Sequence, residues 1–210
     1  MAKTSSSASG PESKRLEELW QGEFGNDYTD RNRAAGQVRA PFWRLILEEF
    51  PAQRVLEVGC NLGANLQWIA THLPPQQVYG VDINLKALAA LHQDFPEVNA
   101  IWSPARDLPF RDGWFDLVLT MGVLIHQPEV TLPLVMSEIV RCSRRYILCG
   151  EYFAEETSEV FYRNQTGALF KRNYGAIYRE LFPELKLRKQ GFLGRDDGWD
   201  DVTYWLFEKP

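Results

Sequence analysis

Long apolar runs are missing from this 210-residue chain, and cysteine and histidine are scarce, at three residues each. No stretch approaches the roughly 20 apolar residues that a membrane-spanning helix requires, so no membrane partner is expected. The N-terminus carries no apolar segment of the kind a secretory leader needs. Cys60, Cys142 and Cys149 are an odd number without metal-ligand spacing. They exclude a disulfide framework and point to a reducing, cytoplasmic setting, and no metal site is expected. Excess positive charge is lacking too. A net charge of −5 counts against a nucleic-acid partner, because phosphate backbones want a basic face. No internal repeat is present. Low complexity is confined to the Ser-, Ala- and Gly-rich residues 1–13, which read as a disordered tail.

What is present is ordinary for a globular protein, with 45% hydrophobic and 24% charged residues and enough length for one domain with a large core. Within it, Val-Leu-Glu-Val at 55–58 closes an apolar segment suited to a buried strand. Gly59-Cys60-Asn61-Leu62-Gly63 follows as a turn that small or left-handed-tolerant residues suit. Residues 64–72 read as a helix, and a second strand at 77–83 carries Asp82 at its C-terminal end. A strand, a Gly-rich turn and a helix form the unit that lets a nucleoside lie against backbone, and a carboxylate at Asp82 can accept from both ribose hydroxyls. The frame Glu57-x-Gly59-x-Asn61-x-Gly63 is not G-x-G-x-x-G, and the Glu57 carboxylate would repel a diphosphate. S-adenosylmethionine, which has a sulfonium, an ammonium and a carboxylate but no phosphate, suits the frame better than a nicotinamide dinucleotide.

Elsewhere the periodicity predicts helices over 14–22, 37–50, 85–94 and 129–142. The second places Val38, Phe42, Leu45 and Ile46 at helical spacing. The third puts Leu85, Leu88 and Leu91 on one side, with Asn84 as its cap. Further strands are expected at 99–102, 115–121, 145–150, 185–192 and 202–208, and a polar and aromatic loop at 23–32. Strands alternating with helices imply an α/β, Rossmann-like doubly wound sheet with helices on both faces. The last two strands lack a long helix between them, so the seven-stranded sheet is mostly parallel with a C-terminal antiparallel hairpin.

These residues resemble motif I of class I S-adenosylmethionine-dependent methyltransferases, with Asp82 matching the ribose-binding acid. The resemblance implies cofactor contacts from Glu57, Gly59, Cys60, Asn61 and Gly63, with Ile83 packing on the adenine. It also brings Met121 and Gly122 beside the sulfonium. The family commonly has an acid where Pro104 stands, and that acid binds the adenine amino group. Here the backbone of Ala105, or Arg106 stacking on the ring, would have to substitute. A closer resemblance rests on Trp20-x-Gly22-x-Phe24-Gly25-x-x-Tyr28-x-x-Arg31-Asn32, Tyr162-Arg163, Leu169-Phe170-Lys171-Arg172 and Asp196-Asp197 with Trp205. It is to the pseudaminic acid biosynthesis-associated methylases, and it implies a surface-glycan context.

The resulting layout is one domain over 14–210, with cap helices and a lid at 14–50 and an acceptor-side insertion at 151–180. Aromatics alternating with basic residues there suit an anionic, hydroxyl-rich small molecule, which makes Tyr28, Arg31, Tyr152, Tyr162, Arg163 and Lys171 substrate-binding candidates. Asp196 and Asp197 join them if their acidic loop reaches the site; otherwise that loop is solvated. A hydroxyl acceptor needs a base, for which His126 and then Glu151 are the candidates, although His126 can equally be bonded to backbone. Three functions stand: a small-molecule N- or O-methyltransferase acting as monomer or homodimer, an S-adenosylmethionine-binding protein without methyl transfer, and a nicotinamide oxidoreductase.

Overall fold

The computed structural model describes residues 10–33 and 36–210. In chain order its elements begin with α1 (Pro11–Gln21), α2 (Glu23–Arg31), α3 (Ala40–Glu49), β1 (Val55–Val58), α4 (Leu66–Ile69), β2 (Val78–Asp82) and α5 (Leu85–Asp94). They continue with β3 (Asn99–Trp102), β4 (Phe115–Met121), α6 (Leu132–Cys142) and β5 (Ser143–Glu151). The chain ends with β6 (Ser158–Glu159), β7 (Phe170–Lys171), α7 (Tyr174–Leu181), β8 (Lys186–Leu193) and β9 (Val202–Glu208). Seven strands form one sheet in the order β3-β2-β1-β4-β5-β9-β8. The first five are parallel, while β9 runs antiparallel to both β5 and β8. The doubly wound sheet with a terminal hairpin is therefore as the sequence implies.

Alternating side chains send the strands into two cores, one on each face. Val55, Leu117 and Leu119 pack with Trp43, Ile46, Leu66, Ile69 and Leu91 from α3, α4 and α5. Leu56, Val58 and Val118 pack with Met136 and Ile139 of α6 and with Tyr174 and Tyr178 of α7. The strand order reverses between β1 and β4, so their C-terminal ends open a crevice.

Several expectations need correction. The segment expected as a loop at 23–32 is helix α2. Its polar composition hides a local aromatic spine: the Trp20 ring lies 5.2 Å from both Phe24 and Tyr28, at helical spacing. A side chain at Gly25 would overlap the Trp20 carbonyl, so the glycine that looks like a loop residue is what lets α2 close on α1. Residues 1–9 of the expected tail lie outside the described residues, but α1 starts at Pro11 and Ser13 is buried. Leu85, Leu45 and Val38 are exposed, leaving Leu88, Leu91, Phe42 and Ile46 to face the core. The helix after β1 is only four residues, and three-residue turns carry the chain on from it. Helix α7 belongs to the core, so only the small β6–β7 hairpin remains as an insertion.

Candidate functional site

β1 ends in a turn that needs left-handed backbone, with φ of 75° at Gly59, 44° at Asn61 and 78° at Gly63. A Cβ at Gly59 would overlap the Val123 side chain, so this residue holds β1 close to the loop after β4. Asp82 ties the turn to the next helix. Its Oδ2 accepts the Asn61 N–H and its Oδ1 the Asn84 N–H, both at 2.8 Å. Asp82 lines the cavity, and its two oxygens have lone pairs beyond those that these N–H groups use. Burial raises its pKa against these backbone bonds. Asn84 also caps α5, as expected, by accepting the Ala87 N–H.

Glu57 is buried at the foot of the turn. Its Oε1 accepts the Asn65 side-chain N–H at 2.6 Å, and its Oε2 has no partner. Burial pushes its pKa to about 8, with Asn65 and Arg39 opposing and Asp82 adding to the rise. Asn65 Oδ1 in turn accepts from Arg39 Nη1 at 3.1 Å and Trp43 Nε1 at 3.3 Å. Arg39 Nε donates to the Gly198 carbonyl at 3.0 Å, and its guanidinium lies 4.0 Å over the Trp199 ring. A half-buried cation and a buried acid therefore share one network.

These groups line a cavity of about 410 Å³, within the range of small-molecule sites. Its lining includes Asp82, Ile83, Ala105 and Arg106, then Gly59, Met121 and Gly122, and also Trp20, Tyr28, His126, Tyr152, Tyr162 and Asp200, among which the Trp20 ring packs on Tyr28 and His126, and His126 on Tyr162. Arg31 and Arg163 line its exposed edge, the latter on a two-residue hairpin turn with Asn164. Cys60 and Asn61 line it too. Burial raises the Cys60 thiol well above its usual range, which makes it a packing residue and no nucleophile. The Asn61 side chain meets the Thr29 hydroxyl of α2 at 3.1 Å. Tyr28 is pushed up to about 12, chiefly by burial.

His126 sits in a short turn of 3-10 helix after β4. Its Nδ1 lies 2.6 Å from the Ala168 carbonyl, which fixes the proton on Nδ1 and leaves the lone pair on Nε2. The ring is tilted against Trp20 with centroids 4.3 Å apart. Burial lowers its pKa from 6.5 to about 4. The backbone bond and the cavity position are thus both true of this histidine.

Five expected site residues do not line the cavity. Glu151 is fully buried, and its two oxygens accept the Val123 and Ile125 N–H groups at 3.2 Å each. It holds the loop that carries His126, so it is no base facing an acceptor. Burial pushes it up to about 7. Gly63 packs against Leu91 on α5. Lys171 is exposed, with its Nζ 6.0 Å from the centre of the Tyr152 ring, while the next residue, Arg172, turns inward to the Gln127 carbonyl. Asp196 and Asp197 are exposed on a short 3-10 turn, and the chain beyond them brings Trp199 and Asp200 to the cavity. Arg106 is held by Glu17 of α1, with Nε and Nη2 donating at 2.6 and 3.1 Å. Arg39, Asn65, Trp199 and Glu17 are residues that sequence reasoning missed. Among the described residues no group of three His, Cys, Asp or Glu side chains is placed to hold a metal, and no helix is long and apolar enough to cross a membrane.

The sheet order and the crevice define the class of fold: a Rossmann-like, doubly wound α/β sheet with a terminal antiparallel hairpin. Residues 55–145 match the family described as methyltransferase domain. A probable phthiotriol/phenolphthiotriol dimycocerosates methyltransferase of Mycobacterium ulcerans is 30% identical over 108 residues, covering 50% of this chain and 40% of the relative. The chain spans about half or less of the length of the curated relatives it matches. Among solved structures, the Burkholderia thailandensis 1,6-didemethyltoxoflavin-N1-methyltransferase, with its acceptor and S-adenosylhomocysteine bound, superposes with a TM-score of 0.73. It is 16% identical, over 99% of this chain and 94% of that one. The cyclase SpnF superposes with a TM-score of 0.61 at 14% identity, over 81% and 80% of the two chains. At these identities the likeness is one of fold.

Proposed function

We propose that this protein is a methyltransferase that uses S-adenosylmethionine to methylate a nitrogen or oxygen of a small molecule. The observation that carries the reading is that one cavity is lined by Asp82, by the Gly59 and Gly122 turns and by the Trp20–His126–Tyr162 cluster together. The residues fit the cofactor. Asp82 offers lone pairs to a ribose diol, the unpartnered Oε2 of Glu57 suits an ammonium, and Arg39 is a half-buried cation lining the cavity for a carboxylate. S-adenosylmethionine, when bound, supplies a methyl group made electrophilic by its sulfonium.

The chain's own work is then positioning and exclusion of water. Trp20, Tyr28, Tyr152 and Tyr162 wall the acceptor end, and Asp200 with Arg31 and Arg163 gives it charges of both signs. His126 is neutral at physiological pH, so its Nε2 accepts a hydrogen bond from an acceptor N–H or O–H and orients the reacting lone pair. The resemblance to the pseudaminic acid biosynthesis-associated methylases favours a sugar, nucleotide sugar, amino acid or natural-product intermediate as acceptor. Three free, buried thiols suit a reducing cytoplasm, and the enzyme works as a monomer or homodimer.

The test is transfer of label from methyl-labelled S-adenosylmethionine into a small-molecule extract, followed by mass spectrometry. A labelled product is expected from the wild type. His126→Ala should lower that turnover by about 100-fold while leaving S-adenosylhomocysteine affinity unchanged. The acid limb of the wild-type profile should lie near pH 4, because His126 protonates at about 4 and not at 6.5. Undiminished turnover in the variant would remove His126 from the mechanism.

Glu57 yields a second expectation. At pH 7 its carboxyl is mostly protonated, with a pKa of about 8, and an ammonium at Oε2 favours the ionised form. S-adenosylhomocysteine binding at pH 7 should therefore release up to about one proton. Calorimetry in buffers of different ionisation enthalpy measures it. Heats that do not depend on the buffer would mean that no ammonium reaches Glu57.

One specific observation keeps a second reading open: the cyclase SpnF shares this fold. Cofactor binding without a labelled product, in an extract where a control methyltransferase does label its acceptor, would favour a fold reused without methyl transfer.

A further inference from the structure

The segment after β3, Ser103-Pro104-Ala105-Arg106, borders the cavity beside Asp82 and Ile83 but contributes no side-chain acid. Helix α1 lies across this end. Ser13, Leu16, Glu17 and Trp20 all line the cavity from one face of α1. Ser13 is buried, and its hydroxyl has no hydrogen-bond partner. Glu17 stands one turn further on, clamped by both Nε and Nη2 of Arg106. Each carboxylate oxygen keeps a lone pair beyond the one that Arg106 uses. The other carboxylates lining the cavity are committed elsewhere: Glu57 and Asp82 at the Gly-rich turn, and Asp200 at the acceptor end.

We propose that α1 reads the edge of the adenine ring, with the Glu17 carboxylate accepting the exocyclic amino hydrogen and the Ser13 hydroxyl donating to the neighbouring ring nitrogen. The inference rests on the reading of this cavity as an S-adenosylmethionine site. An adenine edge presents a donor beside an acceptor, which is the complement of an acceptor-only carboxylate and a hydroxyl one helical turn apart. Deamination to hypoxanthine exchanges the two. A carbonyl oxygen would then face the Glu17 lone pairs, and the site would reject it. Arg106 has a positioning role here, since it fixes the carboxylate by its two bonds. The helix that recognises the nucleoside also carries Trp20 to His126, so adenine recognition and the acceptor wall share one element.

The test is calorimetric affinity for S-adenosylhomocysteine and for its deaminated analogue, S-inosylhomocysteine, in the wild type, Glu17→Gln and Ser13→Ala. The wild type should prefer the adenine compound by about tenfold or more. Glu17→Gln should cut that preference to about threefold or less, because its amide can donate to the hypoxanthine carbonyl. Ser13→Ala, which removes no charge, should weaken S-adenosylhomocysteine by about fivefold and carries the test if Glu17→Gln does not fold. A wild-type preference retained in Glu17→Gln overturns the proposal. Equal weakening of both compounds also overturns it, since Glu17 would then only hold Arg106. Should the wild type bind neither compound, the cavity reading itself fails; S-adenosylhomocysteine binding without the adenine preference defeats only this inference.

Discussion

Asp82→Asn should weaken S-adenosylhomocysteine binding by about 100-fold or more, the largest effect expected of any single change in the cavity. The magnitude follows from what the carboxylate holds. Each hydrogen bond from a ribose hydroxyl to a charged acceptor contributes about 1.5 to 3 kcal/mol, and two are available. The same oxygens accept the N–H groups of Asn61 and Asn84, so Asp82 shapes the turn as well as meeting the ligand. An amide in its place keeps the volume but turns one acceptor into a donor facing a backbone N–H. Burial raises the native pKa of Asp82, so removing its charge relieves a desolvation cost and the melting temperature should change little. Calorimetry and a thermal melt on the same sample separate the two effects. Affinity that stays within about threefold of the wild type would show that no ribose sits at this carboxylate.

Glu151→Ala acts on a different quantity. Its oxygens satisfy two buried backbone N–H groups in the loop between β4 and His126. Removing them leaves both donors unpaired, at about 1 to 3 kcal/mol each, so a loss of about 3 kcal/mol is expected. For a chain of this length the melting temperature should fall by roughly 10 °C. Turnover should fall too, because the loop places His126, yet the acid limb of the pH profile should stay where it is. A base would behave otherwise: with its pKa near 7, its removal would erase a limb there. Stability carries a matching sign. Between a carboxyl's ordinary value of 4.5 and about 7, the folded chain keeps a proton on Glu151 that the unfolded chain has released. Glu151's contribution to stability therefore falls as pH rises through that window, and Glu57 acts in the same direction up to about 8. Glu151→Gln should remove Glu151's share of the slope. A variant as stable as the wild type would mean that the loop does not depend on this side chain.

The two carboxylates also mark how far the sequence could be read. The place of Asp82 at a strand end in the cavity wall was legible because it is local: a strand ends, a Gly-rich turn precedes it by a fixed spacing, and period and turn chemistry survive folding intact. The terminal hairpin was legible for the same reason, since two strand-like segments lacked a helix between them. Glu151 was misread because position at a strand end does not say which way a side chain turns, and here it turns into the core. The acidic loop shows this on a smaller scale. Asp196 and Asp197 stay in solvent while Asp200, three residues on, reaches the cavity. Arg39, Asn65 and Trp199 meet across 26 or more residues of chain, through contacts with no spacing signature. Helix α2 was hidden by Gly25, Asn26 and Asp27, whose low helix propensity is outweighed by the packing of Trp20, Phe24 and Tyr28. Glu17 lay in a segment read only as a capping helix, and the missing acid at Pro104 was the one clue that a partner had to come from elsewhere.

The central claim, that the crevice between β1 and β4 is a site for S-adenosylmethionine, is tested most directly by calorimetric titration of the wild-type protein with S-adenosylhomocysteine and, separately, with NAD. One-to-one binding of S-adenosylhomocysteine and no heat from NAD is the expected result. Binding of NAD, or no binding of S-adenosylhomocysteine by the folded protein, would contradict it.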